Sequence, residues 1–370
     1  MMKRTQRIFI VALCILFVVA GSIFAEGQKE AKPYLIGVSI WGDSGPLAKN
    51  VIGNLRFAAG VLGAEVEVAV DGFKPENQVS NIENLIARGC DAVMICNCTD
   101  AVVPKLIKLC DDAQVPFGIY FRKLNDPEVK EFAESSKYFI GNCHEDEVAV
   151  GYALGKVMAD KGSKNAVIIN YNKGDTTAEA RAEGYRKAFK EFGIKLLGEQ
   201  WDIMTAEKSA NAVENFIAAF PELDAVAIGG GGGEPLIGAI RAVKNHDKLG
   251  QINITASDFG PDIAESLERQ EVAAMSGGHW TDPFFTFMLL YNHIDGHSLS
   301  KGTATITMEP LYLSSVEEAR EYQKWCLDDH PYNEDEIKNM TVRHNKDFTI
   351  DDLRKIAASY SLEDVIARHK

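Results

Sequence analysis

Little in this sequence points to catalysis. It contains no Gly-x-Ser-x-Gly elbow, no His-Glu-x-x-His pair and no P-loop lysine, so the commonest marks of serine hydrolases, zinc peptidases and nucleotide triphosphatases are missing. A lyase or isomerase built on His144, His279 and Asp258 is left open, and it would have to turn over a bound molecule. Positive charge is also short. The 39 Lys and Arg face 53 Asp and Glu, a formal charge of −14, and such a surface repels nucleic acid and anionic membrane alike. No nucleic-acid partner is expected. Cysteine numbers only seven. Cys90 and Cys110 close successive helical segments and could meet as a disulfide, while Cys96-Asn97-Cys98 has no second ligand pair at matching spacing. Neither a metal nor a cofactor is expected. After residue 25 no apolar run approaches the ~20 residues that a spanning helix needs.

What is present begins with an export-type leader. Lys3, Arg4 and Arg7 precede the apolar run Ile8 to Ala20, and Gly21-Ser22-Ile23-Phe24-Ala25 offers a cleavage site. Residues 1–25 are therefore read as a signal peptide, which places the rest of the chain outside the cytoplasmic membrane. An uncleaved anchor is the alternative. Cleavage would remove three positive charges and take −14 to −17.

The stretch from Lys74 to Arg122 sets the pattern of the remainder. Pro75 opens a helix whose Val79, Ile82, Leu85 and Ile86 share a face. Gly89 ends it, and Asp91-Ala92-Val93-Met94-Ile95 is short and almost wholly apolar, as a parallel strand covered on both faces must be. A second helix carries Val103, Leu106, Ile107 and Cys110 at helical spacing, and Phe117 to Tyr120 is the next strand. Such alternation implies right-handed crossovers, a parallel sheet, and ligands held beyond the carboxyl ends of the strands.

The same cycle can be followed along the chain. Strands are expected at 34–40, 65–70, 138–141, 166–170, 195–199, 224–228, 252–256, 272–276 and 311–313, with helices between most of them. Near Tyr138 the pattern restarts, so two similar α/β halves are expected, followed by helices from Glu317 and Thr349. Thr-Ile-Asp-Asp and Ser-Leu-Glu-Asp there look like capped helix starts. No role is assigned to that tail.

The ordered set Gln78…Ile82 to Gly89, Asp91 to Thr99, Val115-Pro116 to Arg122, Arg181 to Tyr185 and Ser257-Asp258 resembles the type I periplasmic binding proteins, particularly the ribose- and galactose-binding-like branch, over about residues 34–297. The resemblance implies an α/β fold of two Rossmann-like lobes with parallel sheets, joined by a three-strand hinge. Lobe boundaries follow at 34–141 with 280–297, and 142–279 with 298–314, leaving 315–370 as a C-terminal helical extension. It also implies a monomer that captures a small ligand, foremost a sugar, and delivers it to the permease and ATPase of an ABC importer. A sensor or chemoreceptor role, with an autoinducer-like or anionic sugar-derived ligand and a membrane receptor as partner, is the second reading. The segment Gly141 to Glu145 is similar in length and histidine placement to the autoinducer-2 receptor branch.

Strand-end positions and the resemblance together select Trp41, Asp43, Asn97, Phe121, Arg122, Arg181, Met204, Gly231, Asp258, His279 and Trp280 as ligand-binding residues. Trp41 and Trp280 would stack on a flat apolar face, or else lie in the lobe cores. Arg122 and Arg181 would donate to the ligand, or form salt bridges across the hinge. Phe121 stands where an aspartate commonly precedes the arginine in sugar-binding members, and Gly229 to Gly233 replaces a turn that commonly carries Asn-Asp. Two arginines without those acidic neighbours would suit an anionic head group, which the glycine turn could also meet with backbone N–H groups.

Overall fold

The computed structural model describes residues 32–260 and 262–370, so the leader lies outside the described residues. Two six-stranded sheets divide the chain, with strand orders β11-β5-β4-β3-β1-β2 and β12-β10-β9-β8-β6-β7. The first sheet comprises β1 (Tyr34–Ile40), β2 (Ala64–Val70), β3 (Ala92–Ile95), β4 (Phe117–Tyr120), β5 (Phe139–Glu145) and β11 (Ala304–Met308). The second comprises β6 (Asn165–Ile169), β7 (Lys195–Gln200), β8 (Ala225–Ile228), β9 (Asn253–Ser257), β10 (Ala274–Gly277) and β12 (Leu311–Leu313). Pairing is parallel throughout except for β10 with β12. The all-apolar sequences of β3 and β8 suit central strands that are buried along their whole length.

In each sheet the strand order reverses at one point, between β1 and β3 and between β6 and β8. At such a reversal the flanking crossovers lie on opposite faces and leave a crevice beyond the strand ends. The chain passes between the lobes after Glu145, between Gly277 and Asp282, and between Met308 and Leu311. These passages form the expected three-strand hinge.

One boundary differs from the sequence reading. Ala304–Met308, assigned to the second half, pairs with β5 in the first sheet, and β5 itself runs on through Asn142 to Glu145. β11 is an edge strand that alternates buried and exposed residues, so it lacks the continuous apolar run that marks the central strands. The segment Gly141 to Glu145 is thus strand, not loop.

Two helices of the second lobe cross at backbone contact. A Cβ on Gly151 would collide with Arg181 O, and one on Gly184 with Val148 O. Glycine at both positions lets Glu147–Asp160 and Thr176–Phe192 lie this close, and the first residue of one helix then faces Arg181 of the other.

The C-terminal extension is built into the body. Val316–Tyr322 contacts the second-lobe helix Ile263–Glu268, and Tyr322 packs edge-on against Phe259. After a π-helical turn at Gln323–Leu327, Glu334–Asn339 contacts the first-lobe helix Pro46–Val61, and Ile350–Ala358 contacts β11. Asn292 anchors this run by donating to Met340 O (3.0 Å) and accepting from Val342 N (2.8 Å). Thr349 and Ser361 cap the last two helices, at the two capped starts that the sequence shows. Cys110 is a free thiol in the apolar layer around β3, not bridged to Cys90 in this structure, and burial pushes it up to about 12. No helix among the described residues is long and apolar enough to cross a membrane.

Candidate functional site

A cavity lies where the strand ends of the two sheets face each other. The first lobe supplies an aromatic wall. Trp41 follows β1, Phe73 stacks on it with centroids 6.1 Å apart, and Phe121 follows β4 at 5.7 Å from Trp41. Phe121 has φ of 60°, a conformation that costs a non-glycine residue free energy unless its surroundings hold it. Here Asp282 Oδ1 accepts its N–H at 3.0 Å, while its carbonyl accepts from Arg122 (3.1 Å) and Thr177 (3.2 Å).

The polar wall belongs mostly to the second lobe. Asp175 caps the helix Thr176–Phe192 by accepting from Thr177 N and Ala178 N, takes the Tyr171 hydroxyl at 3.1 Å, and binds Arg122 Nη2 at 2.9 Å. Burial opposes the Arg122 charge, but Asp175 and the neighbouring groups together outweigh it and hold the guanidinium protonated. Arg122 Nη1 donates to Thr177 Oγ1 at 3.1 Å. One arginine of the first lobe is thus fastened to two residues of the second.

Arg181 is held by its own lobe. Glu147 takes Nε at 2.5 Å and Nη2 at 3.0 Å, and Gly229 O takes Nη1 at 3.1 Å. The glycine turn makes this fit possible. A Cβ on Gly229 would strike the Asn170 amide, and one on Gly230, with φ of 136°, would lie 2.6 Å from Arg181 Nη1. Asp258, also at positive φ (71°), accepts Gly232 N at 2.7 Å, with its Oδ1 3.1 Å from His279 Nε2 and 3.9 Å from Arg181. Burial works against the Asp258 carboxylate. His279, Arg181 and the Gly232 N–H overcome it and hold the group well below the usual carboxylate range.

Eight of the residues selected from sequence line this one cavity: Trp41, Phe121, Arg122, Arg181, Met204, Gly231, Asp258 and His279. Three do not. Asp43 is exposed on the loop after β1. Asn97 is buried beside the cavity, donating to Asp100 Oδ1 at 3.3 Å. Trp280 points away, because the short 3₁₀ turn His279–Thr281 sends it into the core, where its Nε1 donates to Tyr322 OH at 2.8 Å. Leu47, Phe73, Glu147, Tyr171, Thr177 and Gly232 complete the lining and were not selected. Tyr171 and Thr177 follow β6 and obey the strand-end rule. Glu147 opens the helix after the first hinge passage, and only its contact with Arg181 reveals it.

Behind the cavity the hinge holds a pair of buried acids. Burial raises Asp282 to about 7, against the Phe121 hydrogen bond, and raises Glu145 well above the ordinary range, aided by the charges of Asp282 and Glu147. His144 lines a separate groove beside them, and burial lowers its basicity.

Two lobes of parallel sheet, joined by three passages and enclosing a polar cavity with an aromatic wall, define a bilobal ligand-binding protein. The chain belongs to the periplasmic binding protein domain family, whose pattern matches residues 36–296. It is 26% identical over 199 residues to the ABC transporter periplasmic-binding protein YphF of Escherichia coli K12, covering 52% of this chain and 58% of YphF. It is 25% identical over 216 residues to the ribose import binding protein RbsB of the same organism, covering 58% of this chain and 68% of RbsB. The match to YphF therefore spans less than two thirds of that relative. The fold is shared with an ABC transporter periplasmic solute binding protein from Actinobacillus succinogenes with bound D-allose, at a TM-score of 0.70, 20% identity, 78% of this chain and all of that one.

Proposed function

We propose that this chain captures a small sugar in the cavity between its lobes, outside the cytoplasmic membrane, and delivers it as a monomer to the permease and ATPase of an ABC importer. The observation that carries the reading is the pairing of an aromatic wall from one lobe with buried directional polar groups from the other. A sugar ring offers apolar C–H faces for the first and hydroxyls for the second. The names of RbsB and of the D-allose complex support the same ligand class. The lobes in this reading are 34–145 with 280–308, and 146–279 with 309–322.

Closure follows from the geometry. Arg122 bonds Asp175 and Thr177 only when the lobes meet, so a ligand that bridges them favours the closed form. The ligand leaves unchanged. A thermal-shift screen with aldopentoses and aldohexoses tests the proposal. A saturable rise in Tm with one of them is expected, because a ligand that binds only the native state stabilises it. Absence of any shift across the panel defeats it.

A further inference from the structure

We infer that Glu147 and Asp175 set the charge of the ligand: by pairing with Arg181 and Arg122 they make the cavity select an uncharged polyol over a sugar acid or sugar phosphate. The inference rests on the sugar-binding reading and concerns the same cavity.

Two exposed guanidinium forks would be a site for carboxylate or phosphate. Neither fork offers a free pair of donors here. Arg181 gives Nε and Nη2 to both oxygens of Glu147 and Nη1 to Gly229 O. Arg122 gives Nη2 to Asp175 and Nη1 to Thr177 and the Phe121 carbonyl. The third feature that might attract an anion, the glycine turn, has its Gly232 N–H taken by Asp258.

Formal charges agree with the geometry. Arg122 and Arg181 bring two positive charges, while Glu147, Asp175 and Asp258 bring three negative ones, leaving −1. Protonation of His279 would only bring the sum to zero. All five side chains are at least nine-tenths buried, where charge is poorly screened. An incoming anion would be desolvated with no cation to receive it. A hydroxyl fits better. Among the cavity-lining residues two buried polar atoms lack a well-aligned hydrogen bond, the donor Arg122 Nε and the acceptor Asp258 Oδ1, which has only His279 Nε2 at 3.1 Å beside it, and a hydroxyl both accepts and donates.

The test is isothermal titration calorimetry of the protein with matched pairs of probes: D-galactose with D-galacturonate, D-ribose with ribose 5-phosphate, and each aldose that stabilises the protein with its own acid. Wild type should favour the neutral member by about 100-fold or more. Glu147→Gln, which frees one arginine, should narrow that ratio by about tenfold, mainly by tightening the acid. Equal or tighter binding of the acid by wild type overturns the inference while the sugar reading stands. So does a Glu147→Gln variant whose ratio and acid affinity match wild type. Failure to bind any member of any pair removes the sugar reading and this inference with it. Circular dichroism establishes folding, and if Glu147→Gln does not fold, the wild-type ratio and the ratio for Asp175→Asn decide.

Discussion

Arg122 and Asp175 belong to opposite lobes and meet at 2.9 Å with side-chain exposures of only 7% and 1%. Their pairing ties lobe geometry to cavity polarity, since Asp175 also caps the helix Thr176–Phe192 and Arg122 also holds the Phe121 carbonyl. Removing one partner of a buried pair leaves the other charge uncompensated, at a cost of about 3–5 kcal/mol when it cannot escape to water. Here the lobes can part. Asp175→Asn should therefore weaken ligand binding by about 1.5–3 kcal/mol, read by titration calorimetry with the stabilising aldose, and small-angle scattering should show the liganded variant more open than wild type. Unchanged affinity would mean that the bond does not contribute to closure.

Trp41 makes the aromatic wall with Phe73 and Phe121 and is only half-buried. Trp41→Ala should lower affinity for a ring-bearing ligand by about 1–2 kcal/mol through lost stacking and apolar contact. The midpoint of ligand-free urea unfolding should change little. A large loss of stability with unchanged affinity would instead make Trp41 a core residue.

The acids of the hinge predict an unusual dependence on pH. Asp282 is raised to about 7 from an unfolded value near 3.8, and Glu145 is raised also. Between about pH 4 and 7 the folded state then binds more protons than the unfolded chain, so stability falls as pH rises through this window. Asp258 is shifted the opposite way, and its contribution is present above the usual carboxylate range and lost only in strong acid. In thermal unfolding from pH 5 to 8, Tm of Asp282→Asn relative to wild type should rise with pH, because the variant lacks the declining Asp282 contribution while keeping an oxygen for Phe121 N–H. An identical slope in the variant would remove Asp282 as its source.

Asn292 tests whether the C-terminal extension belongs to the cooperative unit. It makes two buried hydrogen bonds to the 340–342 segment. Asn292→Ala should cost about 2–3 kcal/mol in urea unfolding, counting the groups left unsatisfied. A single transition is expected, because Tyr332 stacks on Phe284 and the Tyr360 hydroxyl donates to Gly278 O at 3.2 Å. Two separated transitions would make the extension an independent unit.

The alternation of apolar strands and amphipathic helices made most of the fold legible, since β3, β4 and β8 are fully buried and their composition says so. β11 escaped because an edge strand with one wet face is chemically mixed. The strand-end rule placed Arg122 and Asp258 at the cavity, and family position added Arg181. It could not show what each arginine is bonded to. Glu147 and Asp175 lie on elements remote in sequence from at least one partner, and their contacts depend on the glycine-mediated helix crossing and on how the lobes meet. Local sequence displayed the two cations and concealed the carboxylates that pair with them, Asp175 and Glu147. Trp280 does not line the cavity, because the 3₁₀ turn after Gly278 carries it into the core, the alternative that the sequence left open.

That turn has a mechanical meaning. His279 lines the cavity and Trp280, its neighbour on the same rigid turn, is bonded to Tyr322 of the extension. Two consecutive residues thus join the cavity wall directly to the extension, so the extension is packed against the back of the ligand site.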